Sequence, residues 1–330
     1  MQQQHVLSGQ GPTVPVAAPR LSRQLPKHWW VGYLFVAPAA ILFAVIGLYT
    51  VFQSLKLCFY SWNGFDPTWT PVGLDNFHQF LGGNSALTDQ FVQSLTHNLI
   101  LCATIPVGSC LIGLALALLL NRAGALAYVL RTVYFIPAVA AGVATFYTWQ
   151  LLYQPYGGSL GVIGSLFKSV GLTGLVPYNG FLGDPSTALA GLVVVFIWAN
   201  APIAMIMYLA GLQAVPDGVL EAAQIDGANA WDRLRYIVWP LLFPVTSLLV
   251  ILFLNVAIQD YQTVFVMTNG NPAGATNVVG LMVYNYASVN YGSTGGSAAN
   301  MGLGSAMGWV LAALTLVVSL VNLRVFRSRT

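Results

Sequence analysis

A chain of 330 residues with 57% hydrophobic and 6% charged side chains cannot build a water-soluble surface, for which about 25% charged residues is usual. The bilayer must therefore be its main solvent, which excludes a pair of soluble domains of the same total length. A net charge of +3 reflects where a few basic residues sit relative to the membrane and offers no surface for a nucleic acid.

Residues 1–26, rich in Gln, Ser, Gly and Pro, read as a disordered tail, and 27–330 as one transmembrane domain. A spanning helix needs about 20 mostly apolar residues, and six runs qualify: 31–54, 98–120, 128–152, 186–211, 241–263 and 304–326. The first continues too far past "VAPAA" for a cleaved signal peptide and is expected to be a retained anchor. Pro38, Pro106, Pro137, Pro202 and Pro244 lie inside runs, as a helix bundle tolerates. The connections 55–97, 153–185 and 264–303 carry dense turn signals such as "TNGNPAGATN". Trp62, Trp69, Tyr153 and Tyr156 fall where an interfacial aromatic belt is expected. The spacing "GSAMG" at 304–308 suits close helix packing or a dimer face.

Orientation follows from the basic residues. Arg20, Arg23, Lys27, Arg122, Arg131, Arg233, Arg235, Arg324, Arg327 and Arg329 fall on one side of six spans, and only Lys56 and Lys168 on the other. The positive-inside bias then puts both termini in the cytoplasm.

Between the fourth and fifth runs stands a polar insert, "EAAQIDGANAWDRLRYIVWP", within a cytoplasmic loop spanning 213–240. Asp217 is placed to cap a first helix that ends at Gly227, the residue type favoured for a left-handed turn. Asn229 and Asp232 have capping-box spacing for a second helix, which is expected to end at Pro240. Ala222 and Ala223 offer a small face for close approach, with Glu221 beside it. Such a helix can enter a groove on a partner protein or rest on lipid; Asp217, Glu221, Asp226 and Asp232 disfavour anionic headgroups.

Glu221-Ala222-Ala223, three residues, Gly227, nine residues, Ile237, then Pro240 resembles the cytoplasmic loop signature of bacterial ABC importer permease subunits. Trp239 stands where that family usually has Leu, and Leu234 replaces a frequent Phe. "VAPAAILF", "SWNGF", "VGLDNF", "LRTVYFIPAV" and "AGLQAVP" are similar to the first permease of the maltose and glycerol-phosphate type. The resemblance implies an all-α membrane protein of six transmembrane helices with the type I importer fold, shared with maltose and methionine permeases. It also implies a multi-pass subunit of the bacterial inner membrane. Its partners would be a second permease, two ATP-binding subunits and an extracytoplasmic solute-binding protein. Glu221, Ala222, Ala223, Asp226, Gly227, Ile237 and Pro240 would form the ATPase-docking loop.

ATP and Mg would be bound by the partner ATPase, since no glycine-lysine phosphate loop occurs in this chain. The sequence offers neither a catalytic constellation nor a metal set: His5, His28, His78 and His97 have no metal spacing. Cys58, Cys102 and Cys110 are likewise unpaired in pattern. Polar residues within spans are costly in lipid and mark a passage or helix-to-helix hydrogen bonds. Asn200 with Trp198, and Asn255 with Gln259 and Tyr261 just beyond, are the candidate path for a neutral sugar or polyol. The competing class is an ion-coupled carrier or channel; Asp260, near one end of a span, is the one acid available to it.

Overall fold

The computed structural model describes residues 29–83, 85–122, 126–139, 142–154, 161–288 and 300–327. The expected tail and Tyr156 lie outside them. The chain divides between Val51 and Phe52 into two compact units. The first contains α1 (Trp29–Leu42), a π-helical stretch (Phe43–Leu48) and the start of α2 (Tyr49–Leu57). Its side chains, Phe35 and Phe43 among them, are exposed and apolar, as suits a span solvated by lipid.

The second unit begins with an antiparallel ribbon, β1 (Tyr60–Ser61) and β2 (Thr70–Pro71), followed by α3 (Asp75–His78). Buried Asn76 ties the ribbon down by donating to the carbonyls of Cys58 and Tyr60 at 2.8 and 3.0 Å. Then follow α4 (Ser85–Arg122), α5 (Leu126–Val139), α6 (Gly142–Tyr153), α7 (Gly161–Ser169) and α8 (Ala188–Gln213). After them come α9 (Asp217–Ile225), α10 (Ala230–Arg233), α11 (Trp239–Gln259), α12 (Gln262–Met267), α13 (Val279–Ala287) and α14 (Met301–Arg327).

Five helices among the described residues are long and apolar enough to cross a bilayer: Trp30–Leu57, Ala86–Asn121, Ala188–Gln213, Ala230–Gln259 and Met301–Asn322. The remaining expected run, 128–152, is carried by α5 and α6 together, with Pro137 near the end of one and Gly142 at the start of the other. Both residue types weaken a continuous helix. α4 starts well before the apolar run at 98, because its first turns are helical but polar. α11 stops at Gln259, short of the expected end at 263. Asp260 is extended there, and its carboxylate accepts from the Thr263 amide at 3.1 Å and the Thr263 hydroxyl at 2.8 Å, which starts α12.

In lipid the transfer of apolar surface drives helix association little, so close packing and hydrogen bonds must do so. α4 and α8 lie against each other. A Cβ on Gly113 would come within 2.4 Å of the Ala204 Cβ and 2.9 Å of the Met205 amide nitrogen, so only glycine lets these backbones meet. Leu101, Ile105, Phe196, Met205, Leu249 and Phe253 fill the surrounding core. Tyr208 donates to the Thr246 hydroxyl at 3.0 Å, which donates to the Leu242 carbonyl at 3.0 Å. That chain satisfies two buried hydroxyls and ties α8 to α11. The "GSAMG" glycines serve packing within the chain, since a Cβ on Gly304 would lie 3.1 Å from the Ala287 amide nitrogen on α13. Tyr153, expected in an interfacial belt, is instead buried with its hydroxyl donating to the Gly191 carbonyl at 3.3 Å.

Candidate functional site

The polar insert folds as an internally braced elbow. α9 opens on Pro216, whose extended backbone is the cap (φ −63°, ψ 130°), and Asp217 is the first helical residue. The proline explains the shift, because its fixed φ and missing N–H favour it at the edge of a helix, so the boundary falls there. At the other end the Ala228 amide donates to the Ala223 carbonyl at 2.9 Å and the Gly227 amide to the Gln224 carbonyl at 3.1 Å. Together they form a complete Schellman turn, with Gly227 left-handed at φ 83°.

Asn229 then caps α10. Its side-chain oxygen accepts from the Trp231 and Asp232 amides at 2.8 and 3.0 Å, while Asp232 accepts from the Asn229 amide at 3.2 Å. The expected capping box is therefore formed. The second helix does not end at Pro240. It passes through a π-helical stretch, Leu234–Val238, directly into α11, so that Ala230–Gln259 is one helix of 30 residues. The wide turn, with the Trp239 amide bonded back to the Leu234 carbonyl, accommodates a proline that lacks an N–H and would crowd a regular α-turn.

Glu221, Ala222, Asp226, Gly227 and Pro240 are exposed, and Ala223 and Ile237 half-buried. Leu220 and Leu234 turn the other way and pack on the bundle core with Leu212 and Val238. The outward face carries apolar side chains that sequence reasoning did not single out: Ile225 is 86% and Trp231 64% exposed. Their signal was available, because two large apolar residues on an acidic, water-facing insert have no interior reason to be there.

The path candidates are brought together only in part. Gln259 donates to the Asn255 side-chain oxygen at 2.9 Å, and Asn255 to the Ile251 carbonyl at 3.2 Å, so the pair shares one face of α11. Gln259 borders a groove of about 590 Å³ along α14, with Thr315 and Ser319. Asn200 is buried and donates to the Phe196 carbonyl at 2.8 Å. Trp198 meets Trp149 edge-on at 5.1 Å and borders a separate apolar groove of about 670 Å³. Tyr261 lies beyond the end of α11, stacked on Tyr284 at 5.1 Å.

Asn98 was not anticipated. It is 1% exposed, donates to the Ala257 and Ile258 carbonyls at 3.2 and 3.4 Å, and accepts from the Val279 amide at 2.9 Å. One side chain thus joins α4, the end of α11 and the start of α13. Neighbouring His97 places Nδ1 2.8 Å from the Asn277 carbonyl oxygen. A polar pair at the mouth of an apolar run was the available sign. No cluster of three or more metal-ligating side chains occurs among the described residues.

The described residues thus combine helices long and apolar enough to cross a bilayer with an exposed, braced elbow that continues into one of them. The chain belongs to the family described as binding-protein-dependent transport system inner membrane component, which matches residues 109–329. It is 31% identical to a probable ABC transporter permease of Pyrococcus horikoshii, over 87% of this chain and 92% of that one. It is 30% identical to the trehalose/maltose transport system permease protein MalF of Thermococcus litoralis, over 91% and 94%. Among solved structures, a chain of a bacterial ABC transporter involved in import of the acidic polysaccharide alginate shares the fold. Its TM-score is 0.72 at 21% identity, covering 91% of this chain and 96% of that one. The chain is therefore a non-catalytic membrane subunit of an ATP-driven importer, with ATP consumed on a separate chain. The ion-coupled alternative falls with that membership.

Proposed function

We propose that this permease forms half of the translocation path for a neutral sugar or polyol, with both termini and the elbow in the cytoplasm. Its elbow docks to a separate ATPase that binds ATP and Mg. A second permease subunit completes the path, and an extracytoplasmic binding protein delivers the ligand. The sugar class is supported by the trehalose/maltose transport of the Thermococcus litoralis relative and by the 29% identical multiple sugar-binding transport system permease protein MsmF of Streptococcus mutans.

The observation that carries the docking is the unbroken helix from Ala230 to Gln259. A rigid rod whose outer end is braced by a Schellman turn and a capping box transmits a push into the bundle, as a hinge would not. Glu221, Ala222, Ala223, Asp226 and Gly227 meet the ATPase groove with Ile225 and Trp231 as apolar anchors, while Ile237 and Pro240 shape the junction with the span. Trp198, Asn200, Asn255, Gln259 and Tyr261 serve the path. Amides pair with hydroxyls, and aromatic rings cover C–H faces.

Co-purification tests the docking. Removing residues 217–235 should abolish recovery of the ATPase, and Trp231→Ala should weaken it by about tenfold or more, the scale of one anchor. Full recovery after the deletion would end the docking reading. The path has its own test: replacing Asn255 and Gln259 together by alanine should reduce uptake while ATPase recovery stays normal, and unchanged uptake would remove both residues from it.

A further inference from the structure

The structure assigns a second carbohydrate site to this chain: an amide-lined cleft at the end of the bundle remote from the elbow, where a neutral, hydroxyl-rich sugar end is held before entering the path. The inference rests on the sugar-importer reading and adds to it a contact site outside the spans. The cleft holds about 630 Å³, within the range of about 300–1,000 Å³ typical of small-molecule sites. It lies between the first turns of α4 and the segment joining α12 to α13. Gln93 and Leu118, which borders the elbow cavity, are separated by roughly 38 Å along α4 at 1.5 Å per residue. That exceeds the roughly 30 Å hydrocarbon core, so the two sites face opposite sides of the membrane.

Among the described residues, half of those lining the cleft are amides: Gln90, Gln93, Asn269, Asn271, Asn277 and Asn285. None of the described lining residues is Asp, Glu, Lys, Arg or His, so this wall offers paired donors and acceptors without fixed charge, the complement of a hydroxyl that both gives and takes a proton. Phe265 and Tyr284 add ring surface, crossing at 5.2 Å, with Tyr261 stacked behind. The Asn277 side-chain oxygen, beneath the cleft surface, is buried with no hydrogen-bond partner among the described residues, so the wall carries one unsatisfied amide. The wall is held in shape without these amides. Thr276 donates to the Asn271 carbonyl at 2.8 Å and lies 2.8 Å from the Thr268 hydroxyl. The segment turns on left-handed Asn269, Gly270, Ala273 and Gly274, and a Cβ on Gly274 would sit 3.4 Å from the Gln93 side-chain oxygen. Asn98 links this wall to the carbonyls of Ala257 and Ile258, one turn from Asn255 and Gln259. The segment behind the cleft is thus hydrogen-bonded through Asn98 to the last turn of α11, which also carries Asn255 and Gln259.

Saturation-transfer NMR on the purified permease in lipid nanodiscs tests the site, with maltose, trehalose, sucrose, raffinose and myo-inositol as probes and glucuronate as the charged control. Transfer to ring protons of at least one neutral probe and not to glucuronate is expected. Gln93→Ala, a change at an exposed position, and the Gln93→Ala, Asn277→Ala pair should weaken that contact, the pair by about tenfold or more. Thermal unfolding of each variant must match the parent for the comparison to count. No transfer with any neutral probe, or transfer unchanged in the pair, overturns the site. Transfer that needs added binding protein makes the cleft a protein-docking face, which also overturns it. ATPase recovery in the same samples separates the two readings: its retention alongside a negative result removes the cleft alone, and its loss in the parent removes the importer reading.

Discussion

Gly227 is where the elbow is most open to a small perturbation. Its φ is +83°, and a Cβ there would find nothing within 4 Å, so Gly227→Ala introduces no clash and its cost is torsional. A left-handed alanine costs about 1–2 kcal/mol, which multiplies the population of the opened turn about 5- to 30-fold at RT near 0.59 kcal/mol. The bonds at risk are those from the Gly227 and Ala228 amides to Gln224 and Ala223. Hydrogen exchange of those two amides should quicken by that factor in Gly227→Ala, more in Gly227→Val, and much less in Gly227→Asn, since asparagine tolerates this region. In the reconstituted transporter, solute moved per ATP should fall in the same order while the permease remains folded. Equal exchange in the alanine variant and the parent would falsify the argument that a glycine-dependent turn stiffens the elbow. Quickened exchange with unchanged coupling would instead remove the turn from force transmission.

Asn98→Leu should lower the unfolding temperature in detergent, because it strands the Val279 amide and two carbonyl contacts; about 1–3 kcal/mol is expected, and an unchanged melt would dismiss the three-way tie. Gly113→Ala should also destabilise, by about 1–3 kcal/mol of overpacking between α4 and α8, whereas Gly218→Ala on α9, with open space around its Cβ, should not. Asp184 has its carboxyl held below the ordinary range first by the Ser186 hydroxyl and then by the Ser186 amide. A depressed carboxylate contributes stability above its unfolded pKa and loses it as pH falls through the folded value, so the turn before α8 should loosen on acidification. Ser186→Ala should move the Asp184 titration upward by NMR, and an unmoved titration would dismiss the hydroxyl. Cys58, whose thiol is pushed up to about 11 by burial, should react with maleimide far more slowly at neutral pH than a cysteine placed at Ile225, and equal rates would contradict that burial.

Hydropathy located the long apolar helices because it reports which solvent a segment can tolerate. It is blind to helix that is polar, which is why α4 begins at Ser85 and not at 98: Thr88, Asp89, Gln90 and Gln93 are helical without being oily. It is equally blind to a break inside an oily stretch, as between α5 and α6. The elbow was legible in its turn chemistry, since Gly227, Asn229 and Asp232 act on neighbours a few residues away. Pro240 misled because the adjoining π-turn that accommodates it has no marker in composition. The Asn98 tie and the amide cleft join positions near 90–98 to others near 257–285; a polar pair at the mouth of an apolar run marks Asn98 itself, but nothing local names its distant partners. The Asn255 and Gln259 pair was legible for the opposite reason, four residues on one helix being neighbours by geometry alone.

The continuity of α10 with α11 fixes a mechanical ratio. Twenty-one residues from Trp239 to Gln259 make a shaft about 32 Å long. Swinging it by about 10° around its Trp239 end carries the Gln259 end through roughly 5 Å, one strand spacing or a little more. If the elbow is pushed as proposed, a displacement too slight to unseat Leu220 and Leu234 from the core would be magnified along this shaft to a few ångströms at its far end.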